Sequence, residues 1–367
     1  MGIDEYIKDI EDELGRTKYN KATQKHIGLL KAKMARLREA GEKKSGGGFR
    51  GLGYGVKKAG DATVLLVGVP SVGKSTIINT ITNAHSKTAE YEFTTLGVIP
   101  GILEYNGAKI QILDIPGIIS AAASGKGFGK KVLAVVRVAD LVLIILGGES
   151  VERALSQLAL LKTELYDAGF RIGKKPPDVV IVKKNSGGIS VQTSAKHTKL
   201  SKEEVVSILN EFSIYNADII IREDIDTDQL IDCMVKSRVY VPYIVCVNKS
   251  DLLSAAEREK IKKLSGEQPV FISSLKKDNI PQFKQQIWQK LGLIRVYMKR
   301  IGKDPDRKEP MVVRQGETVL DVCEKIHKEF AKNFDYARIW GSGVFAGQKV
   351  GPNHKLKDED CLELHFE

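Results

Sequence analysis

The chain has 367 residues, more than one ordinary core accommodates, so about two to three domains are expected. With 42% hydrophobic and 28% charged residues, no run near the roughly 18 apolar residues of a membrane span and an acidic start at Asp4, Glu5 and Asp9, it reads as a globular cytoplasmic chain without signal peptide or membrane partner. The net charge of +11 is local, since thirteen Lys or Arg against two Glu between residues 14 and 58 match it, and Cys233, Cys246, Cys323 and Cys361 lie apart without a metal-binding or disulfide spacing.

Ile3, Ile7, Ile10 and Leu14 recur at helical spacing, and Ile27, Leu30, Met34 and Leu37 repeat the stripe after Asn20, an expected N-cap. Residues 1–44 thus read as a helical hairpin. Its second arm carries Lys21, Lys25, Lys31, Lys33, Arg36 and Arg38 outside the stripe, a pattern that fits both a solvated face and a surface for RNA phosphates. The apolar face has no Trp or Phe, which argues against a membrane-surface helix. Residues 45–60, SGGGFRGLGYGVKKAG, form a glycine-rich linker with no means of building a core.

Residues 64–67 read as a buried strand that breaks into GVPSVGKST. In this loop Gly68, Pro70, Ser71, Val72, Gly73, Lys74, Ser75 and Thr76 form a phosphate cradle. The glycines let the chain wrap back so that backbone N–H groups converge on an anion, Lys74 reaches the outer phosphates, and the Ser75 hydroxyl suits Mg2+. The helix that follows aims its positive end at the same charge. Strands 98–105 and 109–113 are joined by Asn106-Gly107, a strong hairpin turn, and the second ends in Asp114-Ile-Pro-Gly117. That places a carboxylate at the strand's carboxyl edge near Mg2+, and a Gly117 N–H where it can meet a γ-phosphate and hinge. Gly125, Gly127 and Gly129 follow in a segment suited to switching between ordered and disordered states.

Residues 141–146 read as another buried strand, followed by a helix of Leu155, Leu158, Leu161 and Leu165. Strand 243–247 runs into Asn248-Lys249-Ser-Asp251. An ionised Asp251 accepts from the N1–H and exocyclic amine of guanine, which adenine cannot supply, while Asn248 and the stem of Lys249 brace the loop and base. Strand 270–272 ends in Ser273-Ser274-Leu275, where a backbone N–H meets the guanine carbonyl. Roughly 130 residues separate Asp114 from Asn248 where about 60 would suffice, so a module is inserted over 171–236. It has strands 179–182 and 217–221, an amphipathic helix 202–212 and a helix near Thr227; Lys183, Lys184, Lys196 and Lys199 suit either RNA contacts or a solvated edge. Beyond Leu291 a strand 294–299, an extended 311–314, a helix capped by Thr318 with Asp321, and a strand 361–366 make a last unit.

With GVPSVGKS, DIPG, NKSD and SSL in this order, each at a strand end, the chain resembles the translation-factor-related P-loop GTPases. YEFTTLGVIPG, DIPGI and the glycines after it resemble the Obg group, and NKATQKHIGLLKAKMARLR with the rest of the chain is similar to the developmentally regulated GTP-binding (DRG) proteins. The fold implied is an α/β P-loop GTPase G domain (61–170 and 237–290) with an inserted α/β module (171–236), an N-terminal helical hairpin (1–44) and a C-terminal β-grasp TGS domain (291–367). The resemblance implies that Phe93, Thr94 and Thr95 join the nucleotide contacts, that Thr95 closes on Mg2+ with Ser75 and Asp114, and that Lys74, Thr95 and Gly117 serve hydrolysis of GTP to GDP. It further implies potassium stimulation, although Ser71 stands where potassium-dependent relatives often carry Asn. Its expected partners are the ribosome with its rRNA and, in a eukaryote, a DRG-family regulatory protein. Ile118, after Gly117, cannot orient water by hydrogen bonding, so intrinsic turnover should be slow. The alternative reading is a nucleotide-gated RNA- or protein-binding scaffold in which turnover is incidental.

Overall fold

Two strands explain the larger sheet. Ala62–Val67 and Leu141–Gly147 are buried at every position, which requires cover on both faces and suits parallel strands between helical layers. In the computed structural model, which describes residues 3–18, 20, 23–44, 60–82, 99–114, 138–194, 199–235, 238–341 and 343–366, they lie side by side at the sheet's centre. The expected linker residues 45–59, Phe93, Thr94, Thr95, Gly117, Ile118, the glycines at 125, 127 and 129, Lys21 and Lys196 fall outside the described residues. The chain divides into two compact units, Met1–Tyr54 with Gly169–Tyr240, and Gly55–Ala168 with Val241–Glu367.

The second of these units holds the six-stranded sheet, ordered Val270–Phe271, Tyr243–Asn248, Leu141–Gly147, Ala62–Val67, Ala108–Asp114, Ile99–Tyr105. All neighbours are parallel except the edge hairpin. Its turn residues Asn106 and Gly107 have φ of 50° and 81°, the left-handed pair a two-residue hairpin demands. Parallel order brings the strand ends after Val67, Asp114, Gly147, Asn248 and Phe271 to one edge, where loops are free to differ.

The same unit ends in a five-stranded β-grasp sheet, ordered Met311–Arg314, Leu293–Met298, Asp360–Phe366, Phe334–Trp340, Gln348–Val350, with the helix Val319–Ile326 against it. Thr318 caps that helix as expected, accepting from the Asp321 N–H at 3.3 Å while Asp321 accepts from the Thr318 N–H at 2.7 Å. Two strands, Phe334–Trp340 and Gln348–Val350, and the short helix Lys328–Lys332 were not foreseen from the sequence. The β-grasp part shares the larger sheet's core: Leu293 and Val312 pack in one cluster with Trp288 and Ile287, and Arg314 pairs with Asp140 at 2.5 Å.

In the first unit a three-stranded sheet, ordered Val179–Lys183, Ala217–Ile221, Ile189–Thr193, is covered on one face by the helices Lys202–Glu211 and Thr227–Met234. Its strand Ile189–Thr193 also escapes the sequence reading. The hairpin helices are Ile3–Arg16 and Gln24–Lys44. Asn20 and Thr23 exchange backbone-to-side-chain bonds of 2.9 and 3.0 Å just ahead of the second helix. That helix has a second packing face the stripe of large residues did not announce. Ala32 and Ala35 belong to the module's core, and a Cβ on Gly28 would sit 3.3 Å from Thr227.

This packing bears on the basic arm. Lys31 pairs with Asp228 at 2.9 Å, Arg36 donates to the Glu211 carbonyl at 2.6 Å, and Arg38 pairs with Glu11 at 2.7 Å. These three cations answer acids and carbonyls of their own unit, while their side chains stay 37%, 43% and 41% exposed. Lys184 and Lys199 likewise contact Asp218 and the Asp224 carbonyl. The module's buried anchor is Asp232, 3% exposed, whose carboxylate receives Arg171 Nε and Nη2 at 2.5 and 2.8 Å, Arg238 Nε at 3.2 Å and the Tyr240 hydroxyl at 3.0 Å.

Candidate functional site

The strand Ala62–Val67 ends at Gly68, where a Cβ would come 2.7 Å from the Ile145 carbonyl, so only glycine lets the chain turn there. Ser71 and Gly73 then adopt φ of 66° and 89°, closing the loop onto the helix Lys74–Ile81. Lys74 lies across the loop and donates to the Gly68 and Val69 carbonyls at 2.9 and 3.2 Å. Val72 is buried beneath the loop, while Pro70, Ser71, Ser75 and Thr76 are exposed at its rim. Such a loop offers N–H groups, one ammonium and a hydroxyl to a polyphosphate.

Asp114 closes the neighbouring strand, in register with Leu66. It is 5% exposed, and its Oδ1 has no hydrogen-bond partner among the described residues. Burial pushes its carboxyl above the ordinary range, and the Lys74 charge acts against that rise. An orphaned buried carboxylate oxygen beside an ammonium and one strand from the Ser75 hydroxyl fits a hard divalent cation, the ligand chemistry of Mg2+.

The 248–251 loop is tied to the 68–76 loop. Asn248, 1% exposed, donates to the Val72 carbonyl at 2.9 Å and accepts from the Ser274 N–H at 3.0 Å. Gly73 must be glycine on this account, since a Cβ would stand 2.5 Å from Asn248 Nδ2. Lys249 donates to the Ser71 carbonyl at 2.9 Å and to Glu149 Oε1 at 2.6 Å. Burial of Glu149 works against its charge, but the Lys249 bond and the charges of Lys249 and Arg153 hold its carboxyl below the usual range. Asp251, in the turn Ser250–Leu252, is kept ionised by a Ser273 hydroxyl bond and by Lys276, 3.2 Å away. An ionised carboxylate is acceptor-only, as recognition of two guanine N–H groups requires. Ser273 and Ser274 are buried and Leu275 is 83% exposed.

The structure thus brings the phosphate-loop residues, Asp114, the 248–251 loop and the 273–275 loop to one sheet edge. Phe93, Thr94, Thr95 and Gly117 lie outside the described residues. Four contributors escaped the sequence reading: Glu149, Lys276, Arg258, which donates to the Ser250 carbonyl at 2.7 Å, and Thr80, which donates to the Ser274 carbonyl at 3.3 Å. Only Glu149 carried a usable signal, a charged residue just past the carboxyl end of a fully buried strand.

Residues 63–184 match the family model described as a 50S ribosome-binding GTPase (MMR_HSR1), residues 186–293 match the C-terminal region of the MMR_HSR1 domain, and residues 294–365 match the TGS domain. A GTP-binding protein of Methanocaldococcus jannaschii is 51% identical over 99% of this chain and 93% of its own. Developmentally-regulated GTP-binding protein 2 of Homo sapiens is 41% identical over 99% of both chains, and developmentally-regulated GTP-binding protein 1 of Xenopus laevis is 43% identical over 98% of this chain and 97% of its own. Identity at that level along the whole length, on a P-loop GTPase domain followed by a TGS domain, makes this chain a member of the developmentally regulated GTP-binding proteins.

Proposed function

We propose that this protein is a cytoplasmic, ribosome-associated GTPase that assists translation, its switch loops ordered by GTP and its β-grasp domain docked on rRNA. The observation that carries the docking part is the outer face of the β-grasp sheet. Because Ala337 and Ile339 are buried, strand alternation turns Tyr336, Arg338 and Trp340 outward. Lys349 lies 3.8 Å from the Tyr336 ring centre, His365 stacks on that ring at 4.3 Å, and Lys299 lies 4.6 Å from the Trp340 ring centre. The acid opposite Arg338, Glu363, is occupied by Lys299 and His365. Cations interleaved with aromatic rings on an open sheet suit phosphates and unstacked bases. The family model matched by residues 63–184, described as ribosome-binding, supports the same reading.

At the nucleotide site Lys74 and the loop N–H groups meet the phosphate charge, and Asp251 selects guanine. Ser75, Asp114 and Thr95 are the residues that would hold Mg2+, which when bound neutralises charge on the transferring phosphoryl group. Intrinsic turnover is slow, because Ile118 offers no hydrogen bond to a water, and Ile118→Ala should leave the rate unchanged. Stimulation by potassium, and a DRG-family regulatory protein as partner in a eukaryote, rest on the family resemblance; equal rates in potassium and sodium at one ionic strength would remove the former.

The deciding experiment is phosphate release from GTP in potassium buffer, with and without purified ribosomes. Strong stimulation is the expected result. Tight GTP binding without stimulation would favour the nucleotide-gated scaffold, the reading Ile118 also supports.

A further inference from the structure

We infer that the turn Gly147-Gly148-Glu149 is the seat of the base-recognition loop, and that Glu149 is a positioning residue acting on the nucleotide through Lys249. Three observations converge. Gly147 pairs in register with Asn248 at the end of adjacent parallel strands, and the Gly148 N–H donates to the Asn248 carbonyl at 2.8 Å. A Cβ on Gly148 would lie 2.8 Å from both the Asn248 and Lys249 carbonyls, so the two backbones touch where only glycine permits it. Glu149 then folds back over Gly147, where a Cβ would meet its Oε2 at 2.1 Å, and presents Oε1 to Lys249 Nζ at 2.6 Å.

The consequence reaches the phosphate end. Lys249 is itself held at φ 58°, an uncommon conformation for a side-chain-bearing residue that the surroundings must enforce. Its ammonium is shared between Glu149 and the Ser71 carbonyl, and Ser71 is the residue whose left-handed φ turns the phosphate loop. Without the carboxylate, the ammonium loses one of its two fixed partners and the Ser71 carbonyl loses a fixed donor. Glu149 Oε2 is buried without a hydrogen-bond partner among the described residues, so the side chain rests on packing against Gly147, the Lys249 bond at Oε1 and the nearby Arg153 charge. The carboxylate bonds the lysine and not the phosphate loop, so its effect on a bound nucleotide would pass through Lys249.

The test is dissociation of a fluorescent GDP analogue from the full chain, for wild type, Glu149→Ala, Lys249→Ala and the double variant. Loss of a charge-assisted hydrogen bond should speed release by about tenfold in Glu149→Ala. If Glu149 acts through Lys249, the double variant releases no faster than Lys249→Ala. Multiplying effects, or wild-type release from Glu149→Ala, would overturn the inference. Glu149→Gln, which keeps an acceptor of the same reach, should fall between wild type and Ala and keeps the test decisive if the Ala variant does not fold. Release from Glu149→Gln at the wild-type rate overturns the ion-pair role, and wild-type release from Gly148→Ala overturns the seat.

Discussion

Two buried aspartates separate the parts of this molecule that hold it together from those that wait for a ligand. Asp232, in the unit formed by the hairpin and inserted module, receives two Arg171 donors, one from Arg238 and one from Tyr240, so each carboxylate oxygen has two partners. Burial and the Arg171 charge press the Arg238 pKa down while the Asp232 charge and bond oppose that fall, and burial with the Asp232 charge raises that of Tyr240. Asp114, in the other unit, is about as buried, yet one of its oxygens has no partner among the described residues. Removing a saturated buried carboxylate strands the charges it answers, whereas an orphaned one carries a desolvation cost that a cation can relieve.

The largest test of this contrast is Asp232→Ala. It leaves two guanidinium groups facing a void and should cost about 3–5 kcal/mol, read as an early transition in urea unfolding while GDP affinity holds. Retention of wild-type stability would break the comparison on its structural side. Asp114→Ala should do the opposite: a thermal midpoint at or above wild type, with affinity for GTP in magnesium at least about tenfold weaker, roughly 1.4 kcal/mol. A drop in thermal stability without loss of affinity would make Asp114 another structural carboxylate.

Much of this was legible beforehand because the nucleotide motifs are local. A buried strand followed by Gly68, Gly73 and Lys74, or by Asn248 and Asp251, needs only strand period and loop chemistry to be read. The Thr318 and Asp321 exchange is equally local. What escaped depends on distant pairs. Glu149 meets Lys249 across 100 positions of sequence, and Gly148 matters only because another backbone lies against it. The hairpin's attachment uses Gly28, Ala32 and Ala35, small residues that a search for large apolar side chains passes over. The strands Ile189–Thr193 and Phe334–Trp340 mix polar and charged residues among the apolar ones, because each sheet has an open face.

Between the two extremes lies a partly exposed carboxylate that is bonded through one oxygen. Asp321 accepts from the Thr318 N–H and hydroxyl, both at 2.7 Å, and these bonds hold its carboxyl below the ordinary range. Removing the cap in Thr318→Ala should cost about 1 kcal/mol of stability. The pH sign follows from the lowered value: the ionised form stabilises above the ordinary carboxylate pKa of about 4, and the contribution is lost as pH falls through the lowered one. Asp321→Asn should therefore flatten part of the acid slope of the melting curve. Without nucleotide the raised Asp114 contributes with the opposite sign, its burden growing as pH rises, so Asp114→Asn should steepen the acid slope that Asp321→Asn flattens.

The smallest effect belongs to Lys31 and Asp228, paired at 2.9 Å with side chains 37% and 39% exposed. Solvent screens such a pair, and Lys31→Ala should cost no more than about 0.5 kcal/mol, fading in high salt. The hairpin is held instead by the close approach at Gly28, Ala32 and Ala35, so Ala32→Leu, at a position fully buried in the module's core, should destabilise by about 1–3 kcal/mol through overpacking. If Lys31→Ala proved the costlier change, charge rather than packing would fasten the hairpin, and the basic arm would be an intramolecular electrostatic clasp.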